Sequence, residues 1–185
     1  MQGHNFCYFD KALSKESVNQ IIDICSEYEL EDGITGVGKT EVRDSLISWV
    51  SDQRLFDMIN PYILKANQTS SWNFDLVTNE HCQYTIYNES QHFGWHNDTI
   101  DPNQDGLIRK LSMTVQLTDP SEYEGGEFWI KYLQNDGDEY IEKLDFTKGL
   151  GTIIVFPSYV WHKVTPVTRG TRKSLVCWTL GYPFR

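Results

Sequence analysis

Gly151-Thr152-Ile153-Ile154-Val155-Phe156-Pro157-Ser158-Tyr159-Val160-Trp161-His162-Lys163-Val164-Thr165-Pro166-Val167, followed shortly by Arg172-Lys173-Ser174-Leu175-Val176-Cys177-Trp178-Thr179-Leu180, is the stretch that decides the fold. Branched and aromatic residues crowd it in short runs, which is the composition of strands. It divides into predicted strands at Gly151–Phe156, Val160–Val167 and Arg172–Leu180, with Arg169-Gly170 as a turn. The same texture reaches back to Trp72, where Trp72, Phe74 and Leu76 alternate with polar residues. Further strands are predicted at Cys82–Tyr87, Leu111–Leu117, Glu127–Leu133 and Glu139–Leu144. Asp105-Gly106, Gly125-Gly126 and Asp136-Gly137 supply turn signals between them.

Before Trp72 the period changes. Ser14 can cap a helix with Glu16 in its first turn, and Val18, Ile21, Ile22, Cys25 and Tyr28 recur at helical spacing. A second helix is predicted after Ser51, with Leu55, Phe56 and Ile59 on one face and Pro61 bending or ending it. Helices followed by a run of strands define an α+β, mainly β chain, whose β part is a double-sheet jelly roll or a small barrel. One domain is expected over residues 1–185, with helical support over 1–70 and the β core over 71–185.

Hydrophobic residues make up 39% and aromatics 14%, which is globular and not disordered. The net charge of −10 repels phosphate backbones and argues against a nucleic-acid partner. No apolar run approaches the roughly 20 residues that span a bilayer. Met1–Asp10 lacks the basic start and apolar stretch of a signal peptide. A cytoplasmic protein with no membrane partner is expected. Cys7, Cys25, Cys82 and Cys177 form no Cys-x-x-Cys pair and read as free thiols.

Two motifs point elsewhere and fail on context. Gly33-Ile34-Thr35-Gly36-Val37-Gly38-Lys39-Thr40 matches the phosphate-binding G-x-x-x-x-G-K-[ST] pattern. That mechanism needs a buried strand before the loop and a helix after it. Here Glu27, Glu29, Glu31 and Asp32 precede the loop, and they repel a triphosphate. The sequence leaves open whether this glycine-rich segment folds over a site. Asp101-Pro102-Asn103-Gln104-Asp105-Gly106 opens like a calcium loop, but Ser112 stands where the bidentate glutamate is required. A polar turn between strands fits it better.

His96-Asn97-Asp98 carries the chemistry. In a strand, residues two apart share a side, so imidazole and carboxylate aim at one point. His162, on a later strand, supplies a third ligand. Two imidazoles and one carboxylate on one face of a metal leave the opposite positions open, the arrangement that suits non-haem Fe(II). Arg172 follows, and its planar fork suits a carboxylate such as the distal one of 2-oxoglutarate. Alone, Arg172 also reads as a surface charge beside Arg169 and Lys173.

Taken together, Cys82 to Trp178 resembles the prolyl 4-hydroxylase-like branch of the 2-oxoglutarate/Fe(II) oxygenases. The resemblance rests on Tyr87 before His96-Asn97-Asp98, on Glu124-Gly125-Gly126-Glu127-Phe128, and on Val155-Phe156-Pro157-Ser158 leading to His162. Val164-Thr165-Pro166-Val167, Arg172 and Trp178 complete it. It implies a double-stranded β-helix and Fe(II) held by His96, Asp98 and His162. It implies 2-oxoglutarate gripped by Arg172 and Tyr87, with Ser174 completing an Arg-x-Ser arrangement. Dioxygen is then the oxidant and ascorbate a candidate reductant. Arg109 and Trp178 fall where some prolyl hydroxylases line the substrate side, although each also reads as ordinary strand structure. The implied substrate is a prolyl residue of a protein or peptide, as in the procollagen-proline enzymes.

The chain departs from the pattern in one strand. Met113-Thr114-Val115-Gln116-Leu117 lacks the tyrosine that some prolyl hydroxylases carry there, which leaves substrate choice open. A hydroxylase of a free amino acid or another small molecule is the near alternative. A non-catalytic metal-binding jelly roll is the further one, and Arg172 argues against it. His92 reads either as an entrance residue or as a solvated loop histidine.

Overall fold

The structure is a computed structural model that describes residues 5–33, 42–133 and 137–184. The strands are β1 (Cys7–Phe9), β2 (Glu31–Asp32), β3 (Arg43–Asp44), β4 (Leu46–Val50), β5 (Leu76–Asn79), β6 (Cys82–Tyr87), β7 (His92–His96) and β8 (Ile108–Gln116). They continue with β9 (Tyr123–Gly125), β10 (Phe128–Leu133), β11 (Glu139–Lys143), β12 (Ile153–Pro157), β13 (Trp161–Val164), β14 (Val167–Gly170) and β15 (Arg172–Gly181). Helix α1 spans Lys15–Ser26 and α2 spans Gln53–Thr69.

The strands pair into a major sheet ordered β1-β12-β8-β15-β6-β4-β2, with β5 also on β15, and a minor sheet ordered β11-β10-β13-β7-β3; β14 and β9 form a separate pair. Alternation along the strands sorts residues between two cores. On β12, Ile153 and Val155 face α1 and α2, where they meet Val18, Ile21, Leu55, Ile59 and Ile63. Ile154 and Phe156 point the other way and meet Phe128, Ile130 and Val164 of the minor sheet. The helices thus cover one face of the major sheet, and the minor sheet covers the other.

The helices begin where short polar side chains cap them. The Ser14 hydroxyl accepts from the Ser17 amide at 3.2 Å, and the Asp52 carboxylate accepts from the Arg54 amide at 2.8 Å. Helix α1 buries Val18, Ile21, Ile24 and Cys25, so Ile24 belongs to the face and Ile22 lies at its margin. Helix α2 runs through Pro61 to Thr69, so the proline does not end it.

The strands differ from expectation in several places; β7 and β9 were not expected, and three further differences have a physical reading. Trp72 and Phe74 precede β5 and do not belong to it. The predicted strand Val160–Val167 is two, β13 and β14, broken at Thr165-Pro166, because proline cannot donate to a ladder. The first 70 residues contribute β1 and β4 to the major sheet and β3 to the minor one, so they are more than helical support. Ile34 to Thr40 of the phosphate-loop motif lie outside the described residues. Flanking them are the exposed β2 and the strand β3, where that motif would need a buried strand and a helix. Asp101 to Gly106 form a polar turn, with Asn103 Oδ1 accepting from the amides of Asp105 and Leu107 at 3.0 and 2.9 Å.

Leu175 is fully buried at the centre of the major sheet, while Leu133 is 73% exposed. Leu175→Ala is expected to lose about 2–5 kcal/mol of unfolding free energy, and Leu133→Ala less than about 0.5 kcal/mol. Urea titration of both variants measures the difference, and equal losses would contradict this packing.

Candidate active site

Strands β7 and β13 lie side by side in the minor sheet, with His96 and His162 as register partners. Asp98 is not on the strand as expected. It lies two residues past the end of β7, where its amide donates to the Ser158 carbonyl at 2.9 Å. That loop bond swings the carboxylate back between the two imidazoles. His96 Nε2 is 3.8 Å from Asp98 Oδ1, and His162 Nε2 is 3.6 Å from Asp98 Oδ2. These gaps exceed a hydrogen bond. His96, Asp98 and His162 are the one group of three or more acidic, histidine or cysteine side chains among the described residues that gathers its ligand atoms this closely, within 4.8 Å.

The backbone fixes the chemistry of each ring. His96 Nδ1 lies 2.8 Å from the Gly94 carbonyl, and His162 Nδ1 lies 3.0 Å from the Val160 carbonyl. A carbonyl only accepts, so Nδ1 carries the proton and Nε2 keeps its lone pair for a metal. The Phe93 ring stacks on His96 at 3.5 Å between centroids. Burial, followed by the nearby His162, pushes the His96 pKa down to about 3, which keeps the ring neutral. Burial alone would raise the pKa of Asp98. The two histidines, the Ser112 hydroxyl and the Trp178 indole outweigh it and hold the carboxyl below its usual range. Two imidazoles that direct Nε2 inward and one ionised carboxylate, with donor atoms converging, suit a divalent transition metal.

The triad opens into a cavity whose lining also includes Thr85, Tyr87, Arg172 and Trp178. Its floor is the inner face of the major sheet. Gln116, Ser174 and Thr85 lie side by side across β8, β15 and β6, and Thr114, Val176 and Gln83 form the adjacent row. Arg172 sits beyond them, 2% exposed, with Tyr87 as its register partner and the guanidinium 5.5 Å from the Tyr87 ring centre. It donates to Gln116 Oε1 at 3.0 Å and to Ser174 Oγ at 3.4 Å. Among the described residues it makes no ion pair, so its charge is available to an anion in the cavity. Gly126 explains the Gly-Gly turn. Its φ is +54°, and a Cβ there would stand 2.8 Å from Arg172 Cδ.

Trp178 also lines the cavity. Arg109 does not. It packs its guanidinium 3.9 Å over the Trp178 ring, while Glu80 accepts from it at 2.9 and 2.5 Å. His92 opens β7 outside the cavity wall, with Nδ1 3.4 Å from the Ser90 carbonyl. Sequence reasoning missed Ser112, Thr114, Gln116, Gln83 and Thr85. The signal was present, since Ser112, Thr114 and Gln116 interrupt an apolar strand at every second position.

Residues 82–180 match the 2OG-Fe(II) oxygenase superfamily. A PKHD-type hydroxylase of Alteromonas mediterranea is 30% identical over 183 residues, covering 91% of this chain and 75% of the relative. A PKHD-type hydroxylase of Shewanella frigidimarina is 42% identical over 99 residues, covering 51% of this chain and 41% of that protein. A Pseudomonas putida prolyl-4-hydroxylase has the same fold with a TM-score of 0.70 at 21% identity, over 95% of this chain and 92% of that one. A Trichoplax adhaerens prolyl hydroxylase, solved with a peptide fragment of hypoxia inducible factor, gives 0.72 at 18% identity, over 95% and 83%. The chain belongs to the 2OG-Fe(II) oxygenase superfamily. Its fold is that superfamily's double-stranded β-helix, and it is a 2-oxoglutarate-dependent dioxygenase similar to the PKHD-type hydroxylases. Fe(II), 2-oxoglutarate and dioxygen are its cofactors.

Gly126→Ala forces a side chain into a left-handed backbone conformation and against Arg172. Calorimetry should show 2-oxoglutarate binding to the metal-loaded variant weakened several-fold, with metal binding itself unchanged. Unaltered 2-oxoglutarate affinity would detach this glycine from the arginine's placement.

Proposed function

We propose that this chain hydroxylates a C–H bond of a prolyl residue in a protein or peptide, with release of succinate and carbon dioxide. The observation that carries the proposal is one cavity lined by two imidazoles and a carboxylate and also by a buried guanidinium that makes no ion pair among the described residues. His96 and His162 hold Fe(II) through Nε2, and Asp98 holds it through its carboxylate. Bound there, Fe(II), 2-oxoglutarate and dioxygen supply the oxidising power that places one oxygen atom in a C–H bond. Arg172 takes the distal carboxylate of 2-oxoglutarate, and Ser174 and Gln116 hold the guanidinium in place. The Tyr87 hydroxyl, kept protonated by burial, lies ready to donate beside it. Val176, Val164, Phe93, Phe128 and Phe156 form the apolar part of the wall and exclude water.

Trp178 stands on the substrate side, and Arg109, clamped by Glu80, fixes its ring. A prolyl substrate is supported by the PKHD-type and prolyl hydroxylase relatives, one of them solved with a peptide. Ascorbate would be the candidate reductant for iron held by His96, Asp98 and His162. The four free cysteines support work in a reducing compartment such as the cytoplasm. No described helix is long and apolar enough to cross a membrane.

A small acidic substrate, such as a free amino acid, is favoured by one observation. Arg43 is buried beside the cavity residue Gln83, to which it donates at 2.7 Å, and it makes no ion pair among the described residues. A second buried cation of that kind suits a second carboxylate.

Anaerobic addition of Fe(II) and 2-oxoglutarate should produce a visible charge-transfer band that is lost in His162→Ala and strongly weakened in Arg172→Ala. Iron binding with no band would overturn the cosubstrate site. Under air, a panel of proline-containing peptides should include members that gain the mass of one oxygen, whereas gain only on free amino acids would select the second reading. In that assay Asp98→Ala should lose hydroxylation by at least about a hundredfold.

A further inference from the structure

The metal site contains a buried donor that its hydrogen bonds do not explain. Trp178 is 6% exposed, and its indole Nε1 is buried without an acceptor among the described residues. Native interiors rarely leave such a donor unpaired, because its water has been lost and nothing replaces it. Packing does not require it either. The ring lies between the Arg109 guanidinium at 3.9 Å and the Trp49 ring at 5.9 Å, and a phenylalanine would fill much of that slot with no N–H to bury.

The register of the strand places the ring beside the metal ligands. Trp178 on β15 is the register partner of Ser112 on β8, and Trp178 lines the cavity. The Ser112 hydroxyl donates to Asp98 Oδ2 at 2.7 Å and lies 3.0 Å from the Ser158 hydroxyl. The Asp98 amide is anchored on the Ser158 carbonyl at 2.9 Å. Trp178 and Asp98 both line the cavity, so the indole and the anchored carboxylate share one wall, joined through Ser112. A carboxylate has about four lone-pair sites, which leaves room for a metal, the serine and one more donor.

We infer that the Trp178 indole N–H is a positioning donor for the Asp98 carboxylate, closing onto it beside Ser112 when a metal is bound. The inference rests on the triad being the metal site. The donor fixes the carboxylate oxygen that the metal leaves free and so sets the aim of the other. The clamp follows from that task. Glu80 holds Arg109 through two hydrogen bonds, Arg109 holds the ring plane, and the ring plane aims the N–H.

Co(II) is the probe, read anaerobically by calorimetry and by its visible d–d bands, so no turnover is needed. Trp178→Phe should bind Co(II) about tenfold or more weakly and shift the bands, as losing a partner of a metal ligand does. Trp49→Phe, which loosens the same stack from its other face, should leave both unchanged. Co(II) affinity and bands in Trp178→Phe equal to those of the unmodified protein would overturn the inference. So would equal losses in both variants, which would assign the effect to packing. If Trp178→Phe does not fold, 3-benzothienylalanine at position 178 keeps the ring shape and replaces the N–H with sulfur, and the same two outcomes decide. Failure of the unmodified protein to bind Co(II) would overturn the triad assignment itself and this inference with it.

Discussion

Strand β15 must face two ways at once, and most of the structure depends on that. Leu175 and Cys177 enter the core beneath the helices, while Arg172, Ser174, Val176 and Trp178 line the cavity. Because side chains alternate with a period of two, a slip of one residue would exchange the sets. It would drive a guanidinium into hydrocarbon and expose leucine to the cavity. Pairing with β8 on one side and β6 on the other removes that freedom. The same pairing lays out the cavity floor, so the sheet's stability and the site's geometry are one constraint.

Electrostatics follows from that layout. Among the described residues that line the cavity, Asp98 is the one carboxylate, and it shares the lining with two imidazoles and Arg172. In a low-dielectric interior such an arrangement favours added negative charge near the arginine and a cation between the histidines. Carbonyl acceptors at Gly94 and Val160 decide which nitrogen of each ring is free, and they are backbone atoms that no side-chain substitution removes. The ligand set is therefore oriented by the strands themselves.

Much of this was legible in the sequence, for identifiable reasons. His96, Asp98, His162 and Arg172 stood out because their chemistry is rare in strands and their spacing suits one center. The long strands of the two sheets were recoverable from composition, but about eight strands are legible there where the structure has fifteen among the described residues. The missing pieces share a cause: each depends on a neighbour distant in the chain. Ser112 and Gln116 look like ordinary polar strand residues until Asp98 and Arg172 arrive beside them. Arg109 looked like a substrate contact because nothing local announces Glu80, 29 residues away. The short strands β1, β3 and β4 hide among the helices because two to five residues carry too little periodicity to register.

The pairing of β1 with β12 has a consequence for how the molecule is made. Cys7 sits opposite Val155, and His96 opposite His162, so the contacts that finish both sheets join residues far apart in the chain. Closing such loops is entropically slow, and folds built this way reach the native state later than helical ones of similar size. While the chain emerges from the ribosome, β1 has no partner until residue 157 has been synthesised. The two histidine ligands are likewise neighbours only through a long-range closure between strands, and no local segment of the chain presents them together.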